Sequence, residues 1–239
     1  MNYSGVANAL TEGLGLAHPP IGLAFLEEPP AGIPRYDKAV PAACAFWKAA
    51  QTSLFYATAE DHYNCPIGTI TQGFKPPDQV MQQGMALIGE MGKIRYFEAA
   101  EVGNVPVVEK PHNVIVYGPL SRFGAVTPDL ALALCTPFQA MLLSEAAGAA
   151  EWRGRGKESH IFGRPACAVI PSAMKDSATS ASLACVGART FAGIAENEMI
   201  VAIPAEELTR LEGGSSVILR ANSEMRKFYQ GHQSHFAAV

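Results

Sequence analysis

The stretch NVIVYGPLSRFGAVTPDLALALCTPFQAMLL (residues 113–143) carries the clearest structural pattern in the chain. An apolar run from Val114 to Tyr117 ends at Gly118-Pro119, which is typical of a buried strand closed by a turn. A second apolar run, Leu130 to Leu134, predicts another buried strand. Thr136-Pro137 then has the form of a helix N-cap followed by proline at the first helical position. The stretch therefore predicts strands and helices packed in alternation.

The patterns on either side of this stretch extend the same organisation. An apolar stripe from Tyr3 to Leu14 predicts a helix that stops before Pro19-Pro20. Other periodic segments predict strands at Ile21–Leu26 and Met199–Ile203, a helix at Gln79–Met91, and a final helix opened by Glu206-Glu207. We therefore expect an α/β or α+β fold, with residues 1–239 forming a single compact domain around a mixed sheet with helices packed on it.

Weaker patterns give further expectations. Ala42–Ala57, rich in alanine and aromatic residues, predicts one helix, and Ser182–Val186 predicts a strand that ends at Gly187. Residues 61–74, punctuated by proline and glycine, are typical of a loop. The polar segment 151–160 predicts an exposed loop without a phosphate-binding motif. The H-x-x-H formed by His232 and His235 is interpreted as part of a frayed terminus, and Ala166–Ala173 as a short apolar element of undefined type.

The composition excludes several classes of protein. Of the 239 residues 49% are apolar, which is enough for a substantial core, and the formal net charge of -4 offers no basic surface for nucleic acid or an anionic membrane. The beginning of the chain lacks the pattern of a secretory signal, and the uncharged stretch 130–144 is too short to span a bilayer. We expect a cytoplasmic protein with reduced thiols. A homodimer is expected only because it is the commonest arrangement among soluble oligomers, and no feature of the sequence specifies it.

Four of the five cysteines occur near the predicted ends of elements, several of them close to Gly or Pro, where active residues are common. They are Cys44, Cys65, Cys167 and Cys185. Four thiolates can hold zinc or an iron–sulfur cluster. No C-x-x-C pair is present, so the spacing alone also permits four small buried side chains with no ligand role.

The remaining candidates are a fifth cysteine, a histidine and two arginines. Cys135 precedes the predicted helix start at Thr136-Pro137, where a thiolate would be stabilised, so it is a candidate nucleophile. The favoured alternative is a buried, unreactive cysteine at the end of an apolar strand. His62 follows Asp61 and lies close to Cys65 in sequence, which suggests an acid–base or ligand role. The alternative is a hydrogen-bonded loop histidine. Arg189 follows Cys185 by four residues, and Arg164 precedes Cys167 by three. They could bind an anionic substrate or balance the charge of a cluster, or they could form surface ion pairs of little energy.

Several motifs together resemble the family called domain of unknown function 169, or uncharacterised ArCR. The resemblance covers roughly residues 22–225 and rests on the segments ACAFWKAA, FYATAEDHYNCPIGT, NVIVYGPL, PDLALALCTPFQAMLL and SLACVGARTFAGIAENEMIVAIP. It implies cysteines at positions matching Cys44, Cys65, Cys167 and Cys185, which strengthens the metal or iron–sulfur interpretation. This chain has Cys-Pro-Ile-Gly where the family pattern is often Cys-Pro-Gly-Gly, so Ile67 departs from it. The resemblance implies no activity.

Three functional hypotheses follow. The leading one is a redox protein or oxidoreductase with a [4Fe–4S] cluster on the four cysteines, and with His62 and Arg189 serving a small-molecule substrate or redox partner. A haem on a thiolate or on His62 is a variant of it. The second is a metal-free thiol enzyme that uses Cys65 or Cys135 with His62 as base. The third is a non-enzymatic ligand-binding module held together by structural zinc.

Overall fold

A computed structural model describes residues 2–96, 99–147 and 161–231 of the chain. Within these residues, seven strands form one sheet in the order β2-β3-β1-β4-β7-β6-β5. Neighbouring strands are antiparallel except for β5 and β6, which are parallel, so the predicted mixed sheet is confirmed. The strands are β1 Ile21–Leu26, β2 Phe55–Thr58, β3 Val114–Pro119, β4 Leu130–Cys135, β5 Ile161–Phe162, β6 Ser180–Ser182 and β7 Met199–Pro204.

Helices cover both faces of the sheet, as the predicted α/β class requires. They are α1 Tyr3–Leu14, α2 Ala45–Ala50, α3 Ala59–His62, α4 Pro66–Thr71, α5 Asp78–Lys93, α6 Ala99–Val102, α7 Pro137–Ala147, α8 Val169–Asp176, α9 Val186–Ala192 and α10 Ala205–Gly231. Short 3₁₀ turns occupy Leu120–Arg122 and Ala166–Ala168. The predictions for residues 151–160, His232 and His235 lie outside the described residues.

The two faces of the sheet form two separate cores, because successive side chains of a strand point in opposite directions. On what we call the front face, Tyr117 and Leu132 pack with residues of α2, α4, α8 and α9. On the back face, Val116 and Cys135 pack with residues of α1, α7 and α10. The central strands β3 and β4 are buried along their whole length, which explains why their sequences are continuous apolar runs.

The predicted helix at Ala42–Ala57 is wrong in its second half. The helix α2 covers only Ala45–Ala50, and Phe55–Thr58 forms strand β2, paired antiparallel with β3. The side chains of β2 alternate between buried and half-buried positions, as expected for an edge strand. Pairing with β3 therefore outweighs the local helical preference of this alanine-rich segment.

The predicted loop at 61–74 is also wrong, because α3 ends at His62 and Pro66 begins α4. Proline breaks a helix in its interior but favours its first position. The strand predicted at Ser182–Val186 instead ends at Ser182, and Cys185 is the N-cap of α9. Between them Ala184 has a φ of 64°, a left-handed backbone conformation that ends the strand. Ala166–Ala173 is the 3₁₀ turn followed by the first turns of α8.

Among the described residues, no helix combines the length and apolar character needed to cross a bilayer.

Candidate functional site

A cavity of about 290 Å³ opens on the front face, and all four cysteines singled out from the sequence line it. Its walls come from the segment before α2, the start of α4, one side of α5, the 3₁₀ turn before α8, and α9. Besides the sulfur atoms the walls are mostly apolar, with contributions from Leu87, Met91 and Phe191, while Asn64, Tyr96 and Arg164 add polar groups. The cysteines lie at Cys44, Cys65, Cys167 and Cys185.

Each of the four cysteines lies at the end of a helix or in a tight turn. Cys44 and Cys65 directly precede α2 and α4, and Cys185 directly precedes α9. Cys167 is the middle residue of the 3₁₀ turn that leads into α8. Four short elements with independent starting points thus bring thiols from distant parts of the sequence to one cavity.

The four thiols lie close enough to influence one another electrostatically, since each one interacts with the other three. Burial, followed by the neighbouring Cys65 and Cys185, raises the pKa of the Cys44 thiol to about 12. Burial likewise raises the pKa of Cys65, and it raises that of Cys167 well above the ordinary value. Without a positive partner, the deep thiols of this cavity are therefore neutral at physiological pH.

Backbone groups are directed at the sulfur of Cys65. The N–H groups of Ala43 and Gly68 hydrogen-bond to it and favour its thiolate form. The backbone of Gly68 approaches Cys65 so closely that only glycine fits. A Cβ atom at this position would lie 2.5 Å from Cβ of Ala43 and 2.9 Å from Sγ of Cys65. Hydrogen bonds of this kind are a common feature around metal-bound cysteines.

The described residues do not form a ready-made site for a single metal ion. Among the described residues, no three His, Cys, Asp or Glu side chains are arranged as ligands of one ion. A tetrahedral zinc site with Zn–S bonds of about 2.3 Å needs its sulfur atoms at about 3.8 Å from one another. In a [4Fe–4S] cluster each thiolate binds a different iron atom, so the sulfur atoms stand further apart than around zinc.

His62, predicted as an acid–base residue or ligand, does not line this cavity. It is 1% exposed, and its ring packs against Phe46 and Phe74 with ring centroids 4.8 Å away in each case. Burial lowers its pKa to about 4. Asp61, the neighbour predicted to tune it, instead pairs with Arg35 and caps α3 through the N–H of Thr58.

Arg189 also lies outside the cavity lining. Its guanidinium donates hydrogen bonds to the carbonyl oxygens of Leu183, Ala195 and Glu198, and so fastens both ends of the α9 segment. The cavity arginine is Arg164, the other arginine noted beside a cysteine in the sequence.

Cys135 is separated from the other cysteines by the sheet. It ends β4 on the back face and is 1% exposed. The structure agrees with the favoured interpretation as a buried, unreactive cysteine, since burial, with Glu198 as a second cause, raises the pKa of Cys135 to about 12. The helix start that motivated the prediction is capped by Thr136 and Gln139, whose side chains bond each other's backbone N–H groups.

Tyr96 is a cavity residue that the sequence reasoning missed. Its hydroxyl accepts a hydrogen bond from the N–H of Val186 over 3.2 Å and also bonds Cys185, while the guanidinium of Arg164 lies 4.7 Å from its ring centroid. Tyr96 and Val186 are far apart in sequence, so no local pattern marks this contact.

Comparison with known proteins assigns the chain to a family. The model of the uncharacterised ArCR family, domain of unknown function 169, matches residues 9–214. The chain belongs to this family. This ArCR protein is also 29% identical over 158 residues to an uncharacterised protein of Methanocaldococcus jannaschii. That match covers 64% of the chain and 66% of the relative, slightly less than two thirds of its length. No solved structure matches the chain.

Proposed function

We propose that this ArCR protein is a cytoplasmic electron-transfer protein or oxidoreductase that holds a [4Fe–4S] cluster on Cys44, Cys65, Cys167 and Cys185. The observation that carries the proposal is the convergence of these four cysteines on one small apolar cavity. A bound cluster would supply one-electron redox chemistry.

The residues around the cavity fit such a group. Its positive iron core would favour the thiolate forms that burial alone opposes at Cys44, Cys65 and Cys167. The N–H groups of Ala43 and Gly68 would remain on the sulfur of Cys65. Mostly apolar walls would keep water away from the cluster, and water access is one of the factors that set its potential.

The alternatives find less support in the same geometry. At about 290 Å³ the cavity lies at the small end of the range for ligand pockets, about 300–1,000 Å³, which favours a compact group over a haem. A structural zinc ion is disfavoured by the absence, within the described residues, of three ligands arranged around one ion. A thiol enzyme with His62 as base is disfavoured because His62 lies outside the cavity and Cys135 lies behind the sheet.

The cavity offers little room for a substrate beside a cluster, and four cysteines would occupy one position on each of the four irons. We therefore favour electron exchange with a redox partner, or with a small molecule at the mouth of the cavity, over binding of a substrate to iron.

The test is the iron and acid-labile sulfide content of protein purified without oxygen, followed by anaerobic reconstitution with iron and sulfide. We expect about four of each per chain and a broad brown absorbance, as the composition of the cluster requires. Alanine variants of each cavity cysteine should lose most of this content, whereas the matched Cys135→Ala variant should keep it. A wild-type protein that stays colourless and iron-free after reconstitution would overturn the proposal.

A further inference from the structure

Tyr96 and Arg164 form the polar corner of the cavity next to Cys185. We infer that these two residues act as positioning residues, which hold Cys185 and raise the reduction potential of the cluster bound through it. The inference rests on the proposed cluster, and the experiment below separates the failure of one from the failure of the other.

The hydroxyl of Tyr96 joins two consecutive residues at the start of α9. Its oxygen accepts the N–H of Val186 over 3.2 Å, and the hydroxyl also contacts the sulfur of Cys185. When that sulfur is a thiolate ligand it has no proton of its own, so the Tyr96 hydroxyl is the donor. The N–H of Val186 belongs to the first residue of α9 and therefore has no partner within that helix. Tyr96 thus fixes the backbone of this segment, and it would direct its O–H bond at the sulfur atom once Cys185 is a thiolate ligand.

Arg164 brings a positive charge to the same place. Its guanidinium carbon lies 4.7 Å from the centroid of the Tyr96 ring, within the range of a cation–π contact. Of the described residues that line the cavity, Arg164 is the one with a charged side chain, and the described part of the chain contains no ion pair to it. Glu101 neighbours Arg164 in an adjacent pocket, but none of the described residues that line the cavity itself carries a carboxylate.

A hydrogen-bond donor and a cation at one cysteine ligand have the same effect on the redox equilibrium. Reduction of the cluster from the 2+ to the 1+ state adds one electron, taken from a one-electron donor, and makes the cluster and its sulfur ligands more negative. Both the O–H donor and the guanidinium stabilise the more negative state. Removing either one should therefore lower the reduction potential.

The experiment is a redox titration of the reconstituted protein with dithionite, followed by the electron paramagnetic resonance signal of the reduced cluster. We expect Tyr96→Phe and Arg164→Gln to lower the midpoint potential, with Arg164→Lys retaining more of the wild-type value. Because Arg164 is exposed, high salt should reduce the effect of Arg164→Gln more than that of Tyr96→Phe. The matched controls Tyr56→Phe and Arg122→Gln lie outside the cavity lining and should leave the potential unchanged.

The outcomes are distinct. If wild-type protein takes up no cluster, the proposed function fails and this inference falls with it. If both variants load the cluster and keep the wild-type potential, the inference is overturned while the proposed function stands. A purely structural role would lower the cluster content without shifting the potential of the fraction that is loaded. Should Tyr96→Phe lose its cluster altogether, Arg164→Gln decides the question, because it leaves the phenol and its hydrogen bonds in place.

Discussion

Nε2 of His62 lies 3.0 Å from the hydroxyl oxygen of Tyr117, within the core of the front face. On the other side of the ring, Nδ1 lies 2.6 Å from the carbonyl oxygen of Thr58. A carbonyl can only accept, so Nδ1 donates to Thr58 and Nε2 accepts the proton of the Tyr117 hydroxyl. Both ring nitrogens are thus satisfied by a neutral imidazole that ties α3 to β3. The role of this histidine in the structure is to hold two elements together.

This arrangement predicts a loss of stability in mild acid. Burial holds the pKa of His62 at about 4, below its value of about 6.5 in the unfolded chain. The stability that this depressed pKa contributes is fully present above pH 6.5. It is lost as the pH falls towards 4, because in that window only the unfolded chain takes up the proton. The shift corresponds to on the order of 3 kcal/mol in the free energy of unfolding.

Urea unfolding at a series of pH values measures this effect. His62→Gln should flatten the dependence between pH 6.5 and 4, whereas Tyr117→Phe should lower stability but keep the dependence, since the imidazole remains. His112, whose pKa burial also lowers, should leave some residual slope in His62→Gln. An unchanged slope in His62→Gln would show that this histidine does not control the acid response.

Gly68→Ala should damage the cavity directly. The added Cβ would meet Cβ of Ala43 at 2.5 Å and Sγ of Cys65 at 2.9 Å, so one of these groups must move. Overpacking of this kind costs about 1–3 kcal/mol, and the displaced sulfur should also reduce iron uptake. Urea unfolding and iron analysis give the two readouts.

The matched control for that substitution is Gly89→Ala in α5, where an added Cβ meets no atom within 4 Å. It should be neutral or should stabilise the protein by up to about 1 kcal/mol, because alanine is the better helix former. Equal behaviour of the two variants would contradict the close approach at Gly68.

Cys135 should resist alkylation in the native protein. With its pKa raised to about 12 by burial, its thiolate fraction at pH 8 is roughly three orders of magnitude below that of an ordinary thiol. Mass spectrometry after iodoacetamide treatment should find it unmodified in native protein and modified in urea. Rapid native labelling at Cys135 would instead support a nucleophilic role.

Arg189→Leu should lower stability through the segment around α9. The guanidinium bonds three carbonyl oxygens, those of Leu183, Ala195 and Glu198, which the leucine leaves without this donor. Since the side chain is half-buried, we expect a loss of about 1–3 kcal/mol in the free energy of unfolding. The exposed Arg122, replaced by leucine in the same way, should change stability by less than about 0.5 kcal/mol. Similar losses in both variants would contradict the specific anchoring role of Arg189.

The sequence predicted secondary structure correctly where the local residue pattern matches the burial of the element in the fold. Strands β3 and β4 are buried on both faces, so their apolar runs identified them correctly. The pair Thr136-Pro137 marked the start of α7 correctly, because capping by the Thr136 side chain is a local interaction. In contrast, β2 exists because it pairs with β3, and a short alanine-rich segment does not reveal that partner.

The residues of the candidate site likewise divide into those that local sequence patterns reveal and those that depend on tertiary contacts. Cys44, Cys65, Cys167 and Cys185 were recognised from turns and element ends, which are local features, and they do line one cavity; their role as ligands remains a prediction. Proximity in sequence suggested His62 and Arg189, but their side chains turn towards the core and towards backbone carbonyls. Tyr96 was missed because its partner Val186 lies 90 residues away along the chain.

The cavity cysteines are also spread along the chain in a way that matters for folding. Cys44 and Cys65 precede the central strands β3 and β4, while Cys167 and Cys185 follow them. A group bonded to all four would act as a cross-link that closes long loops, and so would remove much of the conformational entropy of the unfolded chain. Losing that group would free α2, α4 and α9 first, because the back-face core formed with α1, α7 and α10 contains none of these four cysteines. Backbone amides should then exchange with solvent faster around the cavity than behind the sheet.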